Sequence, residues 1–231
     1  MTTINCPQSW ADIKLADYLE FYKLAKSYAD TEQYQEKAIL FATFNFTDIT
    51  EDEYLALPES TFSEIQNKIG TLLNTTDLPL VKSFQIEDKK YGFIPSLDDM
   101  SYGEYLDLVS YSSKNMWDNI PVVMSTLYRP ITKTMGKLYS IEKYSGTNEE
   151  TKTLFLDALT MDIVFGALSF FLHLQLDLQN ATLIYLPEKL KKSKDPKVLA
   201  ALKDLEKNGV GITQLQSWLS KTSLDSTPLL S

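Results

Sequence analysis

Residues 100–130 read MSYGEYLDLVSYSSKNMWDNIPVVMSTLYRP, and residues 137–146 read KLYSIEKYSG. Ser101, followed three residues later by Glu104, is a capping-box signature, in which hydroxyl and carboxylate each satisfy an unpaired amide at a helix start. The spacing predicts one helix from Ser101 to about Tyr111 and another from Trp117 to about Tyr128. The second buries Ile120, Val123, Met124, Leu127 and Tyr128. Proline marks the turns around these helices: Arg129-Pro130 closes the second, since a residue before proline is pushed out of the helical region. Leu138 to Tyr144 reads as extended. Apolar and aromatic residues recur at packing intervals, with no set of catalytic side chains among them. The stretch is built to present a shaped surface.

The same signals organise the chain on either side. Leu15, Tyr18, Leu19, Tyr22 and Ala25 share one face of an amphipathic helix within Trp10 to Tyr28, with Trp10 packing back onto it. A second helix, from about Thr31 to Phe44, buries Tyr34, Ala38, Phe41 and Ala42. Further capping boxes stand at Thr50/Glu53, Thr61/Glu64 and Thr147/Glu150. Thr50 opens a short turn, and Thr61 a longer helix bearing Phe62, Ile65, Ile69, Leu72 and Leu73. Val81, Phe84, Ile86, Tyr91, Phe93 and Ile94 surround the polar turn Glu87-Asp88-Lys89-Lys90, a β-hairpin pattern. Thr160 caps the most apolar run, IVFGALSFFLHL at residues 163–174. That run is too short for a bilayer, which needs about 20 apolar residues, so it reads as a buried core helix. The expected fold is mainly α (α+β): a single helical domain over 1–186 with a β-hairpin near 81–94. A loosely attached portion over 187–231 holds a lysine-rich linker, short helices around Pro196–Lys207 and Gln214–Leu219, and a flexible tail.

Composition narrows the function. The chain has 231 residues, 44% of them hydrophobic, and a formal charge of −9. Nucleic-acid affinity depends on cations displacing counterions, so nucleic acid is not an expected partner, nor is a membrane. Cys6 is the sole cysteine, which rules out an internal disulfide or a thiolate cluster and fits a reducing cytoplasm. The start, MTTINCPQSW, lacks the pattern of a secretory signal. His173, the one histidine, sits in the most apolar helix without a nucleophile motif around it, and reads as a core or edge histidine. Zinc needs three or four ligands of a kind this chain barely supplies. Gly209-Val210-Gly211 lacks the Lys-Ser/Thr of a phosphate loop and reads as a helix stop.

Carboxylates remain. Asp98, Asp99, Glu104 and Asp107 could bind a hard cation or act as an acid/base pair. The favoured reading is simpler, because acidic groups near a helix start interact well with its dipole. Lys189, Lys191, Lys192 and Lys194 read as a solvated linker. No catalytic residue, cofactor or metal is expected. The dense aromatics of the middle region are mostly core, with two or three lining a groove for a partner segment. Tyr102, Tyr105, Trp117, Tyr128, Tyr139 and Tyr144 are the candidate partner-binding set.

Five segments, taken together, resemble the tail assembly chaperones of tailed bacteriophages. They are W-x-D-I-x-L-x-x-Y at Trp10–Tyr18, S-Y-G-E-Y-L-D-L at Ser101–Leu108, L-Y-R-P at Leu127–Pro130, Y-S-I-E-K-Y at Tyr139–Tyr144 and M-D-I-V-F-G-A-L-S-F-F at Met161–Phe171. The likeness runs from Trp10 to about Leu174, and Lys14 stands where a capping Ser or Thr would be expected. It implies a non-enzymatic protein of the host cytoplasm that shields a long, aggregation-prone tail component, typically the tape measure. Apolar stripes on a client helix would lie in an aromatic groove, with no nucleotide or metal required. The alternative is a structural virion protein (head–tail connector, neck or baseplate component), in which the same aromatics join copies of a homo-oligomer.

Overall fold

A computed structural model describes residues 4–97, 100–112, 116–146, 148–171 and 173. The expected C-terminal portion over 187–231, the lysine cluster, Asp98, Asp99 and Thr147 lie outside the described residues. A 3-10 turn at Trp10–Asp12 leads into α1 (Leu15–Lys26), α2 (Tyr34–Phe46), α3 (Glu51–Leu55) and α4 (Glu59–Leu73). Strands β1 (Ser83–Ile86) and β2 (Lys89–Phe93) follow, then α5 (Tyr102–Ser112), α6 (Met116–Leu127), β3 (Tyr128–Met135), β4 (Leu138–Ile141) and α7 (Glu149–Ala158). A last helix, α8, covers 161–171. The fold is mainly helical with one small antiparallel sheet, in the order β1-β2-β3-β4.

Local chemistry explains most boundaries. Thr50 and Glu53 form their capping box, as do Ser101 and Glu104. Ser9 and Asp12 form a third that the sequence reading passed over. The Thr61/Glu64 box does not form. Helix α4 begins earlier, at Glu59 behind Pro58, because the fixed φ and missing amide of proline suit a helix start. Thr61 therefore lies inside the first turn, and Glu64 instead pairs with Lys68 at 2.8 Å. Asn148 caps α7 by accepting from the Glu150 amide. Lys14 provides no side-chain cap for α1. The backbone compensates: Leu15 N donates to Leu159 O at 2.8 Å and Met161 N to Ile13 O at 2.9 Å. This bridge ties the start of α1 to the start of α8.

The sheet is larger than the expected hairpin. β1 and β2 join through Glu87 and Asp88, with Glu87 at φ 53°. Helix α6 ends at Leu127, one residue before the expected Tyr128, and Tyr128 passes directly into β3 with no loop between. Pro130 is tolerated in β3 because its carbonyl still accepts from Glu142 N, just beyond the end of β4, at 2.9 Å. β2 covers only the first residues of β3, pairing Phe93 with Tyr128, Gly92 with Arg129 and Tyr91 with Pro130. Beyond Pro130, β3 pairs among the described residues with β4 alone. Pro121 lies inside α6 instead of at a turn.

One aromatic cluster joins the helices: Trp10 meets Phe165 at 4.8 Å, and Tyr18 meets Trp117 at 5.0 Å. A second joins sheet to helix, with Phe84 5.0 Å from Tyr128 and Tyr91 5.1 Å from Phe155. Helix α8 runs through the interior, burying Val164, Ala167 and Phe171. No helix among the described residues is long and apolar enough to cross a membrane.

Candidate partner-binding surface

The six aromatic candidates separate by position. Trp117 and Tyr128 are buried and belong to the core, which corrects their expected place on a partner surface. Helix α6 is packed on nearly every side, so Trp117 has no outward direction available. Tyr128 begins β3 beneath Phe84 and Phe93, and its hydroxyl donates to Val81 O at 2.8 Å. Tyr139 is half-buried and acts as a pin. Its ring reaches across β3 to cover Gly92 of β2, and its hydroxyl lies 2.9 Å from Lys82 O and 2.8 Å from Phe93 O. Tyr144 is also half-buried, donating to Asp107 Oδ2 under the Arg129 guanidinium, 5.6 Å from its ring centre.

Tyr102 and Tyr105 are left, on the outer face of α5. Tyr102 is 74% exposed and stacks on half-buried Tyr105 at 6.5 Å and 24°. Leu106, 44% exposed, lies four residues after Tyr102 and so on the same helical face. The sequence reading, which weighed rings only, passed over Leu106. An aliphatic residue at i+4 from an aromatic is the sequence signal that marks it, with its exposure decided by the packing.

Beneath this strip lies a polar brace. Glu104 Oε2 accepts from Ser101 N at 2.6 Å, while Oε1 forms an ion pair with Arg129 Nη1. The side chains are 5% and 13% exposed, so the pair is largely out of water. Burial pushes Glu104 up, but the Ser101 hydroxyl and amide and the Arg129 charge outweigh it and hold the carboxyl below its ordinary 4.5. Burial, then the bond to Asp107, raises the Tyr144 phenol to about 12. The ion pair lacks good hydrogen-bond angles, and Arg129 Nε has no hydrogen-bond partner among the described residues. Arg129, at the head of β3, thus fastens α5 to the sheet from below.

This arrangement suits positioning better than proton transfer. A general base near neutral pH needs a carboxyl raised towards 7, whereas Glu104 is held low and both its oxygens are engaged. Among the described residues no three or more His, Cys, Asp or Glu are placed to hold a metal ion. His173 lies at an exposed edge, with Nε2 3.5 Å from Asp77 Oδ1. Elsewhere, a cavity of about 240 Å³ opens between Asn5, Asp12, Ile13, Asp17, Asn45, Phe46, Thr47 and Asp48. None of the six aromatic candidates lines it.

No family model, no curated protein and no solved structure matches this chain.

Proposed function

We propose that the protein is a non-enzymatic phage assembly protein, a tail assembly chaperone that holds an amphipathic segment of a tape-measure-type client against the outer face of α5. The observation carrying this reading is the strip formed by exposed Tyr102 and Leu106 with half-buried Tyr105, backed by the buried Glu104–Arg129 pair. Aromatic side chains bury much area for little lost freedom, and a rigid backing lowers the ordering cost of binding. A client helix with apolar residues at i, i+3 and i+4 matches the spacing of the strip. The formal charge of −9 favours solubility of the complex. Binding and release need no cofactor, and the site of action is the host cytoplasm.

Co-expression with the client tests this directly. The client should stay soluble and co-elute with the wild-type chain, and should precipitate with a Tyr102→Asp/Leu106→Asp variant. Both positions face water, so the variant should keep its melting temperature. A client equally insoluble with and without the wild-type chain removes the chaperone reading, and unchanged rescue by the variant moves the site off α5.

A second reading, a permanent virion component such as a connector, neck or baseplate subunit, is favoured by the exposed β3–β4 ribbon. Mass spectrometry of purified particles separates the two, since a chaperone should be grossly substoichiometric there.

A further inference from the structure

The β3–β4 ribbon extends past the body of the sheet. Beyond Pro130 it has no partner strand among the described residues other than its own return, and every residue from Thr132 to Leu138 is exposed. Two-stranded ribbons are marginal in water by themselves. At the tip, Met135 and Leu138 pair across the turn while 78% and 75% exposed. Gly136, at φ 61°, lets the turn close there, and nothing among the described residues lies within 4 Å of where its Cβ would stand. Lys133 and Lys137 are the charged residues of this segment, which has no carboxylate although the whole chain carries −9. An apolar pair held in water beside lysines calls for an acidic receptor with an apolar floor.

The chain carries such a receptor. The 240 Å³ cavity has Asp12, Asp17 and Asp48 in its lining, with Ile13 and Phe46 among them. It is smaller than the roughly 300–1,000 Å³ typical of small-molecule sites, and suits a side chain or two. Asp12 is engaged in capping Ser9, and Asp48 accepts from Asn5 N. Asp17, at the start of α1, is exposed.

We infer that the β3–β4 ribbon is a docking arm that enters this acidic cavity on a second copy of the same chain, placing Lys137 against Asp17 and Met135 or Leu138 against Phe46. The arm is exposed and does not line this cavity, so it does not occupy the cavity of its own copy. Donor and receptor are different surfaces, so the contact is heterologous and propagates head to tail into a ring or filament. It depends on charge and weakens as salt rises. The inference does not rest on the client-binding role of α5.

The test uses the purified full-length chain at low salt, with mass measured by light scattering over a range of concentrations. The wild type should grow in mass with concentration. Lys137→Glu alone and Asp17→Lys alone should each remain single chains, since each sets like charges face to face. Mixing the two variants should restore the assembly, because every arm then meets a cavity of opposite charge. A Met135→Glu/Leu138→Glu variant should also stay a single chain. All four positions are exposed, and unchanged circular dichroism and melting temperature confirm folding of each variant. A wild type that remains a single chain throughout overturns the proposal, as does an assembly that survives either charge reversal or fails to return on mixing. A single-chain wild type whose arm variants lose client binding would make the client the occupant, and would equally overturn it.

Discussion

Gly166 sits in the middle of the buried helix α8, where glycine is ordinarily unfavourable by about 1 kcal/mol relative to alanine. Its reason is external. A Cβ there would overlap the backbone carbonyl of Pro79, on the segment crossing over the helix. One turn on, Ser169 Oγ donates to Thr76 O at 3.1 Å and accepts from Leu78 N at 3.3 Å, clamping the same segment. Gly166→Ala should therefore destabilise the protein by about 1–3 kcal/mol, the usual range for overpacking, despite the gain in helix propensity. Urea denaturation measures it, and a neutral or stabilising result would mean that 76–80 shifts freely. The apolarity of this helix was legible in the sequence; the closeness of the crossing segment was not, because Gly166 and Pro79 are far apart in the chain. The burial of Tyr128 follows from its spacing with Val123, Met124 and Leu127, whereas the place of Tyr128 and Trp117 on a partner surface is overturned by the packing. An aromatic residue has the same composition whether it faces water or a core, and only the packing around α6 decides.

At the scale of elements, helices were read well because their apolar residues recur at helical spacing and their caps are local. The start of α4 is the instructive exception. Two Ser/Thr-x-x-Glu signatures, Thr50/Glu53 and Thr61/Glu64, look alike, yet only the first closes its hydrogen bonds. Thr50→Ala should cost about 1 kcal/mol through the lost cap. Thr61→Ala, inside a helix already started by Pro58 and Glu59, should fall within about 0.5 kcal/mol of zero. Thermal melts of the pair distinguish the two, and equal losses would contradict the observed boundary. The strand β3 was missed because its outer half buries no face: Thr132 to Met135 are all exposed, so no apolar alternation exists to be read. Beyond its ladder with β3, β4 is pinned across the sheet by the Tyr139 ring over Gly92. Tyr139→Phe keeps the ring over the glycine but removes the hydroxyl shared by Lys82 O and Phe93 O. A loss of about 1 kcal/mol is expected, typical of one hydrogen bond. Amide exchange should also speed up in β4 and leave α1 unaffected. Uniform acceleration across the molecule would show that Tyr139 is not a local pin.

Across the whole molecule, the Glu104–Arg129 pair connects the helical layer to the sheet, and it makes stability sensitive to acid. The aromatic strip of α5 rides on that connection, so the candidate surface and the stability of the fold share one ion pair. Its presence could not be read from the sequence, where Glu104 looked like a partner of the helix dipole and Arg129 like a helix stop. Removing one partner of a buried pair typically costs about 3–5 kcal/mol, because the other charge is left without compensation. Arg129→Met should show a loss of that order. Glu104→Gln, which keeps a capping side chain for Ser101, leaves the guanidinium alone and should also destabilise. In the double variant neither charge remains, so the losses should not add, and stability should return to within about 1–2 kcal/mol of wild type. The pH dependence follows from the same contacts. The folded carboxyl of Glu104 lies below its ordinary 4.5, so its contribution is complete above 4.5 and is lost as pH falls through the lowered folded value. Chemical denaturation as a function of pH should then show wild type losing stability below about 4.5 more steeply than the double variant, with parallel curves above. If the two curves stay parallel through the acid range, Glu104 is not held low by Arg129 and Ser101, and the brace under α5 has another origin.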